Sequence, residues 1–187
     1  MKKLLYNILT MAIIATATVS FSSCEDEQIA YTLEGTWKGN MYISSYYDGR
    51  SYDATYTEIT FLKDPYAYSS GNGYWVDYYS DAPWDYVANH IDWKVDFGTI
   101  YIYFVEEGTS LRISDYHLNN DRFYGTLYDG DKIVDFELYH TYKPNTSKYS
   151  YWGYDNWYYD FYTRGGNASD STAVTTPERP VRFIRGK

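Results

Sequence analysis

The amino-acid sequence predicts an all-β protein, an eight-stranded antiparallel meander that closes into a small β-barrel. Apolar and polar residues alternate with a period of two, as in residues 90–97, where Ile91, Trp93, Val95 and Phe97 form one apolar face. Turn-forming residues separate such segments at regular intervals. No segment has the periodicity of a helix longer than about two turns. A two-sheet sandwich is the structural alternative.

Turn chemistry sets the limits of the predicted strands. The turn sequences are rich in glycine, asparagine and aspartate: Asp48-Gly49, Glu107-Gly108, Asn119-Asn120-Asp121 and Asp129-Gly130. Strands joined by such short turns run antiparallel. The predicted strands cover residues 34–46, 52–62, 73–80, 88–97, 99–106, 110–117, 122–128 and 132–141. All connections are hairpins, so closing the meander into a barrel would leave no exposed edge.

Composition excludes some classes of partner and cross-link. The 187 residues suffice for one domain, and the formal charge of −9 argues against nucleic acid, because binding phosphates requires a basic surface. The single cysteine, Cys24, cannot form an intramolecular disulfide. Aromatic residues make up 21% of the chain and include 26 tyrosines, so tyrosine supplies much of its bulk.

The N-terminal segment has the pattern of a secretory signal. Lys2 and Lys3 precede the apolar run of residues 4–19, which is shorter than the roughly 20 apolar residues that span a bilayer. FSSC, residues 21–24, resembles the lipobox of bacterial lipoproteins, which implies cleavage before Cys24 and lipidation of its thiol. The three acids that follow, Glu25, Asp26 and Glu27, resemble the surface-export signal of lipoproteins in Bacteroidota. A solvated charged tether is the alternative interpretation of these acids.

The sequence is thus divided into four parts. Residues 1–23 are the expected signal peptide, residues 24–32 a lipidated acidic tether, residues 33–142 the barrel, and residues 143–187 a Tyr/Trp-rich and basic extension in which VRFI would add a short strand. The expected location is the outer membrane, with the protein held by its N-terminal lipid and facing the cell exterior. Oligomeric state is left open.

One stretch carries a family resemblance. LEGTWKG, residues 33–39, resembles the G-x-W motif that opens the first strand of lipocalins, with Gly35 and Trp37 in the matching positions. Residues 91–104 and the segments that follow resemble lipocalin-like lipoprotein domains of Bacteroidota. The resemblance implies that Trp37 closes the barrel floor beside an arginine from near the chain end, either Arg182 or Arg185.

The sequence contains no recognisable catalytic signature, so we expect neither an enzyme nor a cofactor. The expected function is binding of a small apolar ligand or of an extracellular partner through the barrel. G-x-S-x-G and phosphate-binding loops are absent, and His90, His117 and His140 lack the spacing of a zinc site. Each of these histidines is expected to be exposed or singly hydrogen-bonded. Paired carboxylates could still hydrolyse glycans, although acids that alternate with apolar residues in strands are expected to face solvent.

Two regions are candidate binding sites. The first is the barrel interior, which either holds a small apolar ligand or is filled by its own side chains, and the number of large residues favours filling. Its predicted binding residues are Trp37, Met41, Trp93, Ile102, Phe104, Phe123 and Phe136. Gly35, Gly39 and Gly125 are expected on the inner face, where they would leave room. The alternative is a glycan platform within residues 149–162, formed by Tyr151, Trp152, Tyr154, Trp157 and Tyr158.

Overall fold

The computed structural model describes residues 24–130, 132–141 and 180–185, which form one α-helix and ten β-strands. Helix α1 covers residues 24–33. The strands are β1 (Gly35–Asn40), β2 (Ile43–Tyr47), β3 (Arg50–Lys63), β4 (Ser70–Tyr79), β5 (Tyr86–Asp96), β6 (Thr99–Phe104), β7 (Thr109–Leu118), β8 (Arg122–Asp129), β9 (Lys132–Thr141) and β10 (Val181–Ile184). Every strand predicted from the sequence is present, as is the added strand at VRFI.

Eight of these strands form a closed ring. From β3 to β9 each strand pairs with the next, and β1 pairs with both β3 and β9, all antiparallel. The fold class predicted from the sequence, an eight-stranded antiparallel barrel, is therefore confirmed, and the sandwich alternative is excluded by the pairing of β1 with β9. Closure satisfies the backbone groups that open edges would leave unpaired.

The first predicted strand is interrupted in the structure. β1 pairs with the second half of β3, with Gly39 opposite Thr57, whereas β2 pairs with its beginning, with Ser44 opposite Asp53. Between them Tyr42 has a φ of 52°, a left-handed conformation that breaks the extended chain. β2 therefore projects beyond the ring, and β10 pairs with its free edge.

The hairpin turn predicted between residues 97 and 99 begins one residue earlier in the structure. Asp96 pairs with Thr99, so these two residues form the whole β5–β6 turn, with φ values of 49° and 72°. The pattern of a type I′ hairpin requires positive φ at both positions. The expectation that Phe97 continues the inward face of the strand is wrong, because its side chain is 82% exposed.

Large aromatic side chains fill much of the barrel. The Trp37 ring lies 5.7 Å from that of Phe123, which in turn lies 4.9 Å from Phe136, and Phe61 meets Trp93 at 5.6 Å. These edge-to-face contacts are the favoured geometry for aromatic pairs. The interior is thus one packed hydrophobic cluster that draws on every strand of the ring.

The inward glycines do not leave room, contrary to expectation. A Cβ atom at Gly39 would overlap the carbonyl oxygen of Glu137, and one at Gly125 would overlap the Tyr116 side chain. At Gly35 the imidazole of His140 occupies the space. Glycine is required here for close approach between neighbouring strands and side chains.

Residues 24–33 form a helix that packs on the barrel, whereas the sequence suggested an acidic tether over residues 24–32. Asp26, Ala30 and Leu33 lie on one helical face, and Ala30 and Leu33 are fully buried. The Asp26 carboxylate accepts hydrogen bonds from the backbone N–H groups of Phe97 (3.0 Å) and Gly98 (2.8 Å). Two apolar residues were too few to signal this face in the sequence.

Cys24 lies in the first turn of α1 and is exposed. Within the described ranges, no helix is both long and apolar enough to cross a bilayer.

Candidate ligand-binding site

The two ends of the barrel differ. Because neighbouring strands are antiparallel, the start of β1 and the β5–β6 turn lie at one end, which α1 covers; we call this the helix end. The β6–β7 loop, residues 105–108, lies at the opposite end together with β10. A cleft of about 440 Å³ opens there between this loop and β10. We call it the mouth cleft.

The mouth cleft combines apolar and polar walls. Its apolar lining includes Phe104, Leu111, Phe183 and Ile184. Its polar lining includes Glu106, Glu107, Thr109, Asp129 and Arg182. Mixed lining of this kind, in a cleft of a few hundred Å³, is typical of sites for small organic ligands.

Arg182 is the central polar residue of the site. Its side chain is only 6% exposed, and it reaches from β10 to the carboxylate of Glu107. The Nε atom donates to Oε1 at 3.1 Å and Nη2 donates to Oε2 at 3.1 Å, a two-pronged charge-assisted pair. The side-chain amide of Asn89 donates to Glu107 at 2.9 Å and helps to fix its orientation.

Two aromatic rings surround the same guanidinium group. Its Cζ atom lies 3.6 Å from the ring centroid of Phe104 and 5.3 Å from that of Trp75. The two rings are 5.2 Å apart and inclined at 74°, so they form adjoining walls. The faces of both rings attract cations because of their quadrupoles.

Neither candidate arginine takes the position beside Trp37 that the lipocalin resemblance implied. Arg182 stacks on Phe104 and Trp75, and Arg185 pairs with Asp53 at the surface at 2.6 Å. The Trp37 ring instead packs 4.7 Å from the imidazole of His140, and its Nε1 donates to the carbonyl of Leu33 at 2.8 Å. Trp37 thus joins the barrel to α1.

Asp77 is fully buried inside the barrel behind this site. One carboxylate oxygen, Oδ1, accepts hydrogen bonds from the Thr57 hydroxyl (2.6 Å) and from Trp75 Nε1 (3.0 Å). The other, Oδ2, has no hydrogen-bond partner within residues 24–130, 132–141 and 180–185. Burial raises the pKa of Asp77 to about 6, although the positive charge of Arg182 opposes the shift.

Glu106 is one of three carboxylates that line the cleft. It accepts hydrogen bonds from the backbone N–H of His90, at 2.7 Å, and from the imidazole Nδ1 of the same residue. Burial alone would raise the pKa of Glu106, but these hydrogen bonds outweigh it, and the pKa lies below its usual value. Glu106 is therefore a carboxylate at neutral pH.

The balance of charge around the mouth cleft is negative. Glu106, Glu107 and Asp129 all line it, whereas Arg182 is the lining residue with a positive charge, and Glu107 already neutralises it. Lys132 lies beside the cleft, with its Nζ atom 5.0 Å from the ring centroid of Phe183, so three carboxylates stand against two cations. The remaining negative charge favours a positively charged ligand group.

The predicted interior residues lie where the sequence placed them. Trp37, Met41, Trp93, Ile102, Phe104, Phe123 and Phe136 are all at most 4% exposed. Among them Phe104 alone lines the mouth cleft, while the others pack within the core. Their role in binding stays a prediction. The glycan-binding alternative, Tyr151 to Tyr158, lies outside the described residues.

The predicted histidines do not share one site. His90 pairs with Glu106, His117 stacks on Tyr124, and His140 packs on Trp37. Among the described residues, no group of three or more His, Cys, Asp or Glu could hold a metal ion.

Sequence reasoning missed the polar members of the site. The inward face of β4 carries Trp75, Asp77 and Tyr79 at alternate positions. An aspartate between two inward aromatic residues was the sequence feature that could have indicated a buried polar site. The turn pattern places Glu107 in a hairpin loop, and the lipocalin resemblance makes Arg182 or Arg185 the partner of Trp37. Only the closed ring and the position of β10 bring Asp77, Glu107 and Arg182 together, and no local pattern encodes that.

The described residues form a closed antiparallel barrel with a helix over one end and a cleft at the other, an architecture that has room for one small ligand. Residues 33–124 match the family model of the lipocalin-like domain. A solved structure, a lipocalin-like protein from Bacteroides uniformis, is similar at 14% identity and a TM-score of 0.35 and covers 59% of this chain and 99% of its own. No curated protein matches this chain.

Proposed function

We propose that this protein is a non-enzymatic binding protein that takes a small, partly apolar molecule in the mouth cleft. The observation that carries the proposal is the cleft itself, about 440 Å³ with an apolar floor and several polar groups at its rim. A cavity of this size suits one small organic molecule and no more.

The cleft is a better candidate for the ligand than the middle of the barrel. Trp37, Phe123 and Phe136 contact each other through their rings, so a ligand at that level would have to displace packed side chains. Phe104 and Leu111 are the members of the buried cluster that also form the cleft floor, together with Ile184. Binding there would need no rearrangement of the core.

The proposal includes attachment of the protein to the outer membrane by a lipid on Cys24, with the barrel facing the cell exterior. Its support is the lipobox-like FSSC sequence and the exposed position of Cys24 at the start of α1. Several acyl chains, at about 0.8 kcal/mol per buried methylene, would anchor the protein stably.

Binding can be tested with Nile red, a neutral apolar dye, titrated into the full chain. Thr109 lines the cleft and is exposed, so a Thr109→Trp variant would fill the cleft with little effect on the core. We expect the dye to bind at least about tenfold more weakly to this variant, a difference of roughly 1.4 kcal/mol.

A matched control is Asn120→Trp, which adds the same side chain in an exposed turn at the helix end. It should bind the dye as the unmodified chain does. Equal binding by both variants, or no saturable binding by any of the proteins, would contradict the proposed function.

A further inference from the structure

We infer that the mouth cleft contains a subsite for an organic cation and that Arg182 fills this subsite as an internal substitute for the ligand. This inference rests on the proposed function and names the chemical class of the ligand: a guanidinium or alkylammonium group joined to an apolar body. β10 would then act as a strap that an arriving cation displaces.

The surroundings of Arg182 are those of a bound cation. Phe104 and Trp75 supply two ring faces, at 3.6 Å and 5.3 Å, and Glu107 supplies a carboxylate for two hydrogen bonds. Aromatic walls with an opposing acid are the standard chemistry for recognising guanidinium and ammonium groups.

The subsite holds more negative charge than Arg182 neutralises. Asp77 lies fully buried behind Trp75, and its Oδ2 atom has no hydrogen-bond partner in the described part of the chain. Arg182 and Glu107 both act on Asp77 electrostatically, so the three groups share one region of the interior. An unused buried acceptor of this kind costs free energy and is expected where a ligand completes the site.

The attachment of β10 is compatible with displacement. Its backbone pairs with β2 alone within the described residues, and β2 itself projects beyond the ring. Val181 is 62% exposed and Phe183 is only partly buried, so Ile184 and the Arg182 side chain supply most of the burial of this short strand. Displacing β10 would remove one wall of the cleft but would break no pairing within the closed barrel.

The mouth cleft gives the apolar body of the ligand a place beside the cation. Leu111 lines it next to Phe104, which belongs to both the cleft and the subsite, and neither residue lies on β10. A molecule with a cationic group and one aromatic or short aliphatic unit therefore fits the two parts together.

Benzylguanidinium and its neutral analogue benzylurea provide a direct test by calorimetric titration of the full chain. Arg182→Ala vacates the subsite, and we expect it to bind benzylguanidinium at least about tenfold more tightly than the unmodified chain does. Benzylurea should show no such gain. Arg185→Ala, which removes an exposed arginine one residue beyond β10, should behave like the unmodified chain.

Two further measurements serve as controls for this titration. Adding Glu107→Gln to Arg182→Ala should abolish the gain, because the neutral amide no longer attracts the cation. In the unmodified chain, benzylguanidinium should speed amide hydrogen exchange in β10, and benzylurea should not; this readout needs no variant to fold.

The inference is overturned if Arg182→Ala binds the two probes equally and exchange in β10 is unaffected by benzylguanidinium. Retained Nile red binding by Arg182→Ala, still weakened by Thr109→Trp, would in that case leave the proposed function standing. If Thr109→Trp did not weaken Nile red binding, the proposed function would be overturned instead.

Discussion

Asp77 shows how a single inward acid changes the energetics of this barrel. Its position opposite Thr57 on β3 gives Oδ1 a hydrogen bond, but the carboxylate is fully buried and its pKa is raised to about 6. An acid whose pKa is higher in the folded state stabilises folding when it is protonated. That stabilisation is complete below the unfolded pKa, near 4, and is lost as the pH rises through about 6.

The Asp77→Asn variant should remove this pH dependence. Asparagine keeps an Oδ1 acceptor for Thr57 and Trp75 but never ionises. Between pH 4 and pH 8 the free energy of unfolding of the variant, relative to the unmodified chain, should rise by roughly 2 to 3 kcal/mol. Urea unfolding at several pH values measures this difference. Asp92→Asn, at an exposed position on β5, is the control; parallel profiles for Asp77→Asn and the unmodified chain would contradict the prediction.

At the level of single residues, sequence alternation predicted burial better than it predicted chemistry. Trp37, Trp93 and Phe123 were placed inside correctly, because period-two patterning is local. Phe97 was misplaced because the tight turn overrides the alternation one residue after the strand ends. The partners of Arg182 come from a distant hairpin and from β4, and only the tertiary structure defines them.

Helix α1 is the element that the sequence predicted least well. Its carboxylate at Asp26 binds the β5–β6 turn 71 residues away, and Ala30 and Leu33 close the helix end of the barrel. In the sequence these residues look like the beginning of a charged linker. Strands were easier to recognise because each repeats its pattern over several residues, whereas α1 buries a single short face.

Replacing Asp26 by alanine should destabilise the protein more than replacing either neighbouring acid. The turn N–H groups of Phe97 and Gly98 would lose their acceptor, at a cost of roughly 2 kcal/mol. Glu25→Ala is the matched control, since Glu25 is exposed on the same helical turn. Thermal unfolding compares the two, and equal melting temperatures would show that the Asp26 contacts contribute nothing.

The same comparison bears on the proposed export signal. Asp26 accepts hydrogen bonds from the β5–β6 turn, whereas Glu25 is exposed. The three acids that follow Cys24 are therefore not equivalent. A signal read by charge alone would tolerate Asp26→Glu but not the loss of Glu25 and Glu27 together. Surface protease access in cells that produce these variants separates folding effects from export.

On the scale of the whole molecule, the sequence predicted the ring closed by β1 and β9. It also predicted that β10 is a strand, but not where that strand packs. Hairpin turns at regular spacing fix the order of β3 to β9, and an even number of strands allows β1 to meet β9. The β10 residues that pack at the mouth cleft come after residues 143–180, a stretch without the alternating pattern of the barrel strands. Sequence periodicity carries no information on where such a segment docks.

The proposed lipid attachment also concerns the whole chain and has its own test. Cys24→Ala should lose incorporation of labelled palmitate and should be released from the membrane fraction, because no other cysteine is available. Cys24 is exposed and the barrel does not depend on its thiol, so the variant should retain Nile red binding. Membrane retention of Cys24→Ala would contradict the proposed anchor.

The position of α1 has a consequence for traffic to and from the membrane. With the lipid at the first turn of α1, the barrel would stand on its closed base, and strands of about ten residues would raise the opening by roughly 25 Å. Molecules would then be exchanged with the surrounding medium and not with the lipid layer. The protein would be oriented to bind water-borne compounds at the cell surface. A cationic amphiphile already dissolved in the bilayer would meet the helix end of the barrel and not the mouth cleft.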